Sequence, residues 1–194
     1  DQVHLHGRRR QVAVRRRRNT RLPQVNIQAA GNSSGSIDLP CPVMHIELDD
    51  PARPDVFALL EEHLREMHEL SPPESVHALD VSRLKSPGIT FWSVRDEGTL
   101  LGCGALKELD PTHGEIKSMR TPAALRRRGA GRALLSCILA EARRRGYTRL
   151  SLETGTADAF QAAQRLYLSA GFRYCGPFAD YKPGPNSTFM TVEL

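Results

Sequence analysis

The sequence predicts a mixed α/β domain over residues 44–194, with element order β-α-α-β-β-β-α-β-α-β-β. Three observations carry that reading. Segments rich in β-branched and aromatic residues between 89 and 121 are separated by tight-turn residues. Two later segments place apolar residues at helical spacing, and each ends at a glycine. Short strand-like segments follow those helices, so strand and helix alternate in the second half.

In order, His45-Ile46-Glu47-Leu48 alternates and reads as a first strand. Asp49-Asp50-Pro51 is a turn and helix-start signal. Val56, Leu59, Leu60, His63, Leu64 and Met67 then recur at helical spacing, giving a helix to about Leu70, where Ser71-Pro72-Pro73 stops it. Residues 74–79 read as a second short helix. Residues 89–94 and 99–106 form a hairpin around Asp96-Glu97-Gly98. Gly102 and Gly104 inside its second strand point to a bulge or close packing. After the turn at 110–114, residues 115–121 complete a meander. Leu134, Leu135, Ile138, Leu139 and Ala142 mark an amphipathic helix, with Arg143, Arg144 and Arg145 at its C-terminal dipole and Gly146 as its stop. Residues 149–153 form a short strand. A second helix runs from Ala159 through Phe160, Ala163, Leu166, Tyr167 and Ala170 to Gly171. Residues 172–175 and 188–193 are closing strands.

Charge divides the 194 residues in two. The chain is formally +5. Residues 1–43 hold eight arginines against Asp1 and Asp38, a net of +6; the remainder, with nineteen basic and twenty acidic residues, is −1. A nucleic-acid argument from the basic pI would therefore concern the arm alone. That arm passes through the linker-like Gly31-Asn32-Ser33-Ser34-Gly35-Ser36, and clean alternation begins only at Met44. It reads as a disordered basic segment, and three origins stay open: sequence upstream of a natural start at Met44, an arm that touches nucleic acid or acidic partners, or an organelle transit peptide. No run of eighteen apolar residues exists, so no helical membrane span is expected. Cys41, Cys103, Cys137 and Cys175 contain no CxxC pair, which argues against a zinc site or disulfide framework and for a reducing, cytoplasmic setting. Cys103 and Cys137 read as small core residues. No metal is expected.

The chemistry-bearing segment is Arg126-Arg127-Arg128-Gly129-Ala130-Gly131-Arg132, placed between a strand and a helix. The first N–H groups of a helix lack internal partners, and its dipole favours an anion there. Glycines let backbone approach a ligand closely. The spacing is neither a Walker loop nor a dinucleotide fingerprint. Taken alone, it is also consistent with a solvated basic loop capping a helix.

In context, Arg126-x-x-Gly129-x-Gly131 resembles motif A of the GNAT superfamily of N-acetyltransferases, which binds the pyrophosphate of acetyl-CoA. About forty residues on, Leu166-Tyr167-Leu168-Ser169-Ala170-Gly171-Phe172 resembles the Leu-Tyr-x-x-x-Gly-Phe signature of that superfamily. Residues 71–80, 115–121 and 177–181 are similar to its bacterial YsnE-like subgroup. The resemblance covers residues 44–194 and implies a GNAT fold: a mixed central sheet with a splayed cofactor cleft, and acetyl-CoA as cosubstrate. It implies that Met119, Arg120 and Thr121 meet the acetyl-pantetheine through main-chain hydrogen bonds. It also implies that Arg126, Arg127, Arg128, Gly129, Ala130, Gly131 and Arg132 hold the pyrophosphate, with Phe160 and Ala163 beside the pantetheine arm. Tyr167 matches the family's proposed general acid; a packed aromatic is the bland reading.

Glu115 is the first candidate for the base that neutralises an attacking amine, and Glu153 the second; either would otherwise bind a cationic substrate or pair with Arg120 or Arg149. His113 is a third candidate, set against a merely solvated turn histidine. Two positions depart from the family pattern. Phe160 stands where many members carry Asn, and Pro122 is displaced by one from the usual loop entry. The implied acceptor is a primary amine of a small molecule or peptide, with no membrane partner. Many relatives dimerise, so a homodimer stays open. Two other classes compete: a non-catalytic acyl-CoA-binding regulatory module, and a nucleic-acid binder driven by the arm. Residues 71–84 and 180–187 are expected to face the substrate.

Overall fold

The computed structural model describes residues 25–27, 44–70 and 80–194. Its strands are β1 (Val25–Ile27), β2 (Met44–Leu48), β3 (Ile89–Asp96), β4 (Thr99–Asp110), β5 (His113–Arg120), β6 (Arg149–Gly155), β7 (Arg173–Cys175) and β8 (Ser187–Glu193). Its helices are α1 (Pro54–Leu70), α2 (Val81–Leu84), α3 (Ala130–Arg144) and α4 (Gln161–Ser169), with 3-10 turns at Ala123–Leu125 and Asp158–Phe160. The strands form one mixed sheet in the order β1-β2-β3-β4-β5-β6-β8-β7. All neighbours are antiparallel except β5 and β6.

Local chemistry explains the hairpins. Glu97 and Gly98 both take left-handed φ, 45° and 81°, so the two-residue β3–β4 turn matches the right-handed twist of its strands. At the β4–β5 turn the Asp110 carboxylate accepts from Thr112 N and Oγ1 at 2.8 and 2.9 Å. Gly146, at φ 80°, terminates α3 as its position predicts.

The sheet buries both faces. Phe91 and Trp92, and likewise Ala105 and Leu106, fall in different apolar clusters, as a period of two requires. On one face α3 packs Leu134, Leu135, Ile138 and Ala142 against Leu106, Ile116, Leu150 and Leu152, together with Tyr167 of α4. Leu134, Leu135 and Ile138 are each at most 1 % exposed, and each contributes about 2 kcal/mol of burial. On the other face α1 and α2 pack Val56, Leu59, Leu60 and Leu84 against Phe91, Cys103 and Ala105. The same face carries a buried ion cluster. Arg95 bonds Asp55 at 2.6 Å and Asp49 at 2.9 Å, and Asp49 also accepts from Ser93 at 2.6 Å. Burial works against ionisation of Asp49, but these hydrogen bonds outweigh it and hold its carboxyl below the usual range.

Several elements differ from the sequence reading. Val25–Ile27 pair antiparallel with β2, so the basic arm contributes an edge strand that its irregular composition did not suggest. A one-turn helix at Val81–Leu84 lies in the stretch expected to face the substrate, where no element was expected; Asp80 caps it, accepting from Arg83 N at 2.9 Å. The short helix expected at 74–79 lies outside the described residues. β4 runs four residues past its expected end. Among the described residues no helix is long and apolar enough to cross a membrane.

Candidate active site

β5 and β6 share one seam with two different halves. Pairing runs from His113↔Arg149 to Ile116↔Leu152 and then stops. Beyond it the strands part, and a cleft of about 1120 Å³ opens between them. A kink in β5 causes part of this. Ser118 takes a left-handed φ of 52°, and the β4–β5 register shifts between Cys103 and Ala105. Gly102 makes room for the kinked backbone, since a Cβ there would stand 2.7 Å from Arg120 O.

Every residue expected at the cofactor lines this cleft. Met119, Arg120 and Thr121 come from the free half of β5 and the residue after it. Arg126, Arg127, Arg128, Gly129, Ala130, Gly131 and Arg132 come from the loop and the start of α3, and Phe160 and Ala163 from the opposite wall. Gly129 caps α3 with φ 90°, and Arg127 is also left-handed at φ 64°. The Gly129 conformation costs an L side chain roughly 1–2 kcal/mol, which explains the residue type. Arg126, Arg127, Arg128 and Arg132 are exposed and make no salt bridge among the described residues. Exposed cations around unpaired helix N–H groups suit a polyanion. Among the described residues no cluster of metal-binding side chains occurs.

Tyr167 projects from α4 into the cleft wall, 6 % exposed, its ring 5.7 Å from that of Phe172. No described group hydrogen-bonds its hydroxyl. Burial pushes the phenol well above its ordinary range, so it stays protonated. Phe160 takes the place of the family's Asn in an unforeseen way. Its ring lies on Gly155, where a Cβ would fall 2.3 Å from a ring carbon. Gln164 Nε2 donates to Gly155 O at 2.8 Å and fixes the same strand end. Thus α4 and its entry turn are clamped to the free half of β6.

Glu115 requires a correction. It sits 1 % exposed on the face opposite α3 and does not line the cleft. Tyr181 Oη donates to it at 2.5 Å, and Lys117 Nζ lies 3.2 Å away. Its contact with the cleft runs through Lys117, which lines it. Glu153, the second candidate, does line it. Neither acid pairs as expected. Arg120 pairs with Glu66 and Glu62 of α1, and Arg149 donates to His113.

His113 is also not the solvated turn residue considered above. Ser151 Oγ donates to Thr191 Oγ1 at 3.0 Å, which in turn donates to Leu150 O at 3.0 Å. The 2.8 Å contact of His113 Nε2 with Ser151 is therefore donated by the histidine, and its Nδ1 accepts from Arg149 at 3.2 Å. Burial and then Arg149 lower its pKa. The closed half of the seam is thus a satisfied structural chain.

Sequence reasoning missed the contribution of α1. His63, Glu66 and Met67 line the cleft, as do Lys117 and, from the β7–β8 loop, Asn186. Burial, with Arg120 nearby, depresses the His63 imidazole to about 4, so it is neutral at pH 7. The helical spacing of His63 with Leu60 and Met67 was legible; its place against β5 was not. Cys103 is fully buried with its thiol pushed up to about 12, an inert core residue as read.

Comparison with known proteins agrees with this geometry. The profile of the acetyltransferase (GNAT) family matches residues 55–172. The uncharacterized N-acetyltransferase YsnE of Bacillus subtilis is 55 % identical over 151 residues, covering 78 % of this chain and 100 % of that protein. The uncharacterized N-acetyltransferase YedL of Escherichia coli is 50 % identical over 149 residues, covering 77 % and 94 %. Among solved structures, a GNAT family acetyltransferase from Elizabethkingia anophelis with acetyl-CoA bound superposes with a TM-score of 0.54, at 19 % identity, covering 78 % of this chain and 98 % of that one.

Proposed function

The chain belongs to the acetyltransferase (GNAT) family, and from that premise we propose that it is an acetyl-CoA-dependent N-acetyltransferase acting by direct transfer on a primary amine of a small molecule or peptide. One observation carries the reading. The unpaired half of β5 leads straight into the Gly129 cap and four arginines without salt bridges among the described residues. An extended ligand with an amide-bearing arm and a pyrophosphate fits that sequence of surfaces. The arm would take the free main chain of residues 119–121, and the anion would take the N–H groups opening α3. That the Elizabethkingia protein holds acetyl-CoA on the same fold supports this choice of ligand.

Acetyl-CoA supplies a thioester whose carbonyl carbon accepts an amine nitrogen. Glu153 takes the proton that the amine must lose, and Glu115 acts only through Lys117 and Tyr181, which it holds in place. Tyr167 donates a hydrogen bond to the sulfur as the C–S bond breaks. Its raised pKa makes complete proton transfer to a thiolate uphill, so stabilisation of developing charge is its main role. Free thiols at Cys103, Cys137 and Cys175 fit a cytoplasmic setting.

Calorimetric titration of acetyl-CoA into the full chain tests the ligand, and thiol release with a panel of amines tests the reaction. Saturable binding with turnover is expected. Binding without turnover on any amine would favour the non-catalytic acyl-CoA-binding module, and no binding by a folded sample would remove both readings.

A further inference from the structure

Resting on the transferase reading above, we infer that His63 is a further catalytic residue of the transfer, donating a hydrogen bond from Nε2 to the thioester carbonyl oxygen as the amine attacks. Its place in α1 is the first reason. Val56, Leu60, His63 and Met67 follow one another at helical spacing on one face. Val56 and Leu60 pack into the core against the sheet, whereas His63 and Met67 line the cleft. The apolar stripe of α1 thus carries a histidine at the point where the sheet opens.

A buried histidine is normally partnered. This one is not. Its Nδ1 is sealed from solvent and meets no hydrogen-bonding group among the described residues. No described residue bonds Nε2 either, which leaves it as the nitrogen that faces the cleft. A sealed N–H without a partner is costlier than a sealed lone pair, so the ring proton sits on Nε2 and the donor points into the cleft. The ring is neutral at pH 7: burial and then Arg120 lower its pKa, against the opposing pull of Glu66. The donor is also held in place. Arg120 of β5 pairs with Glu66 and, at 3.6 Å, with Glu62, and these two residues flank His63 in α1. The ion pairs tie the helix to the free half of β5.

The proposed path of acetyl-CoA decides what that donor meets. With the pyrophosphate at Gly129 and the arm along residues 121 to 119, the acyl end falls by Ser118, just beyond the last pairing of β5 with β6. Ser118 Oγ lines the same cleft and is itself unpartnered among the described residues. Tyr167 lines the cleft from the face of the sheet that α3 covers, and His63 from the face that α1 covers. A thioester between them turns its sulfur to one donor and its carbonyl oxygen to the other. As the nitrogen lone pair forms the N–C bond, the C=O π pair moves onto oxygen. His63 stabilises that charge and keeps its proton. The pair then re-forms C=O while the C–S pair leaves on sulfur. A donor fixed before the charge develops needs no reorganisation during the reaction.

Isotope-edited infrared spectra of carbonyl-labelled acetyl-CoA bound to the full chain read this hydrogen bond without any acceptor. The carbonyl band should move to higher frequency in His63→Leu and stay near its wild-type position in His63→Gln, whose amide keeps an N–H donor. With an amine that turns over, His63→Leu should lower kcat about 100–1,000-fold, as loss of one oxyanion donor does, with the Kd of acetyl-CoA little changed and most of the rate restored in His63→Gln. Nitrogen NMR of the labelled wild-type chain checks the tautomer with no substitution at all, and the Nε2–H form is expected. An unmoved carbonyl band or an unchanged kcat in His63→Leu, or an Nδ1–H ring, would overturn the inference and leave the transferase reading standing. No binding of acetyl-CoA by a folded sample, or binding without turnover on any amine, would overturn the transferase reading and this role with it.

Discussion

The two halves of the β5–β6 seam are built from the same two strands and end in opposite states. From His113 to Ile116 the backbone pairs with β6, and the polar side chains close on one another from Arg149 through His113 and Ser151 to Thr191. From Lys117 onward the strands separate, and main chain faces a cleft. The closed half spends its hydrogen-bonding capacity on the fold. The open half leaves that capacity unused by β6, and it carries the left-handed Ser118 and faces the Phe160–Gly155 contact. Buried polar groups are normally partnered within the protein, so main chain that leaves β6 beside an apolar core is where the proposed acetyl-CoA would pair.

Changes in the open half are expected to affect ligand and rate, and changes in the closed half stability. The largest effect is expected from Gly129→Glu, which strains a φ of 90° and places a carboxylate at the helix start. Acetyl-CoA affinity should fall about a hundredfold or more by calorimetry, combining roughly 1–2 kcal/mol of strain with charge repulsion. Next, Tyr167→Phe should lower kcat by about 10–100-fold while leaving the acetyl-CoA Kd within about threefold, at or below the usual range for general acid catalysis. An unchanged kcat removes the role. Gly155→Ala comes third. Its methyl group displaces the Phe160 ring into the cleft, so KM for acetyl-CoA should rise about tenfold, which is roughly 1.4 kcal/mol. Phe160→Leu in the same chain should restore most of it, whereas a purely structural defect would not be rescued. In the closed half, His113→Phe should cost about 1–3 kcal/mol in denaturant melts, because it leaves the Arg149 and Ser151 partners unmatched, with acetyl-CoA affinity preserved.

The smallest effect is one of pH. The pKa of His63 is depressed to about 4, so the fold favours its neutral form. That contribution is complete above the unfolded value near 6.5 and is lost as pH falls from there towards 4. His63→Gln should flatten the Tm–pH curve across that window; an unaltered slope would show that the imidazole is not held neutral.

Most of the fold was legible because the signals are local. Gly98, Gly129 and Gly146 sit where φ is positive, and strands 89–94 and 99–106 flank a turn of the right chemistry. The cofactor loop was legible for the same reason, since Arg126 to Arg132 are contiguous in sequence. The face of the sheet that each acid occupies was harder to read. Parity puts Glu115 and Glu153 on one side, but only the point of strand separation, between Ile116 and Lys117, decides which of them reaches the cleft. That point depends on α4 and on the kink at Ser118, both set by packing. The cleft residues of α1 and the edge strand Val25–Ile27 were missed because their partners lie 50 or so residues and about 20 residues away in sequence, with no local signature of contact.

The strand order bears on synthesis. β8 follows β7 in the chain yet lies inside it, between β7 and β6. As the polypeptide leaves the ribosome, β6 is complete about thirty residues before the strand that covers its outer edge, an interval of a few seconds at roughly 5–20 residues per second. Through that interval Leu150 and Leu152 border an open ladder of N–H and C=O groups, the kind of edge on which nascent chains pair with one another. A ribosome stalled before Ser187 would therefore release an adhesive domain rather than a slightly shortened one.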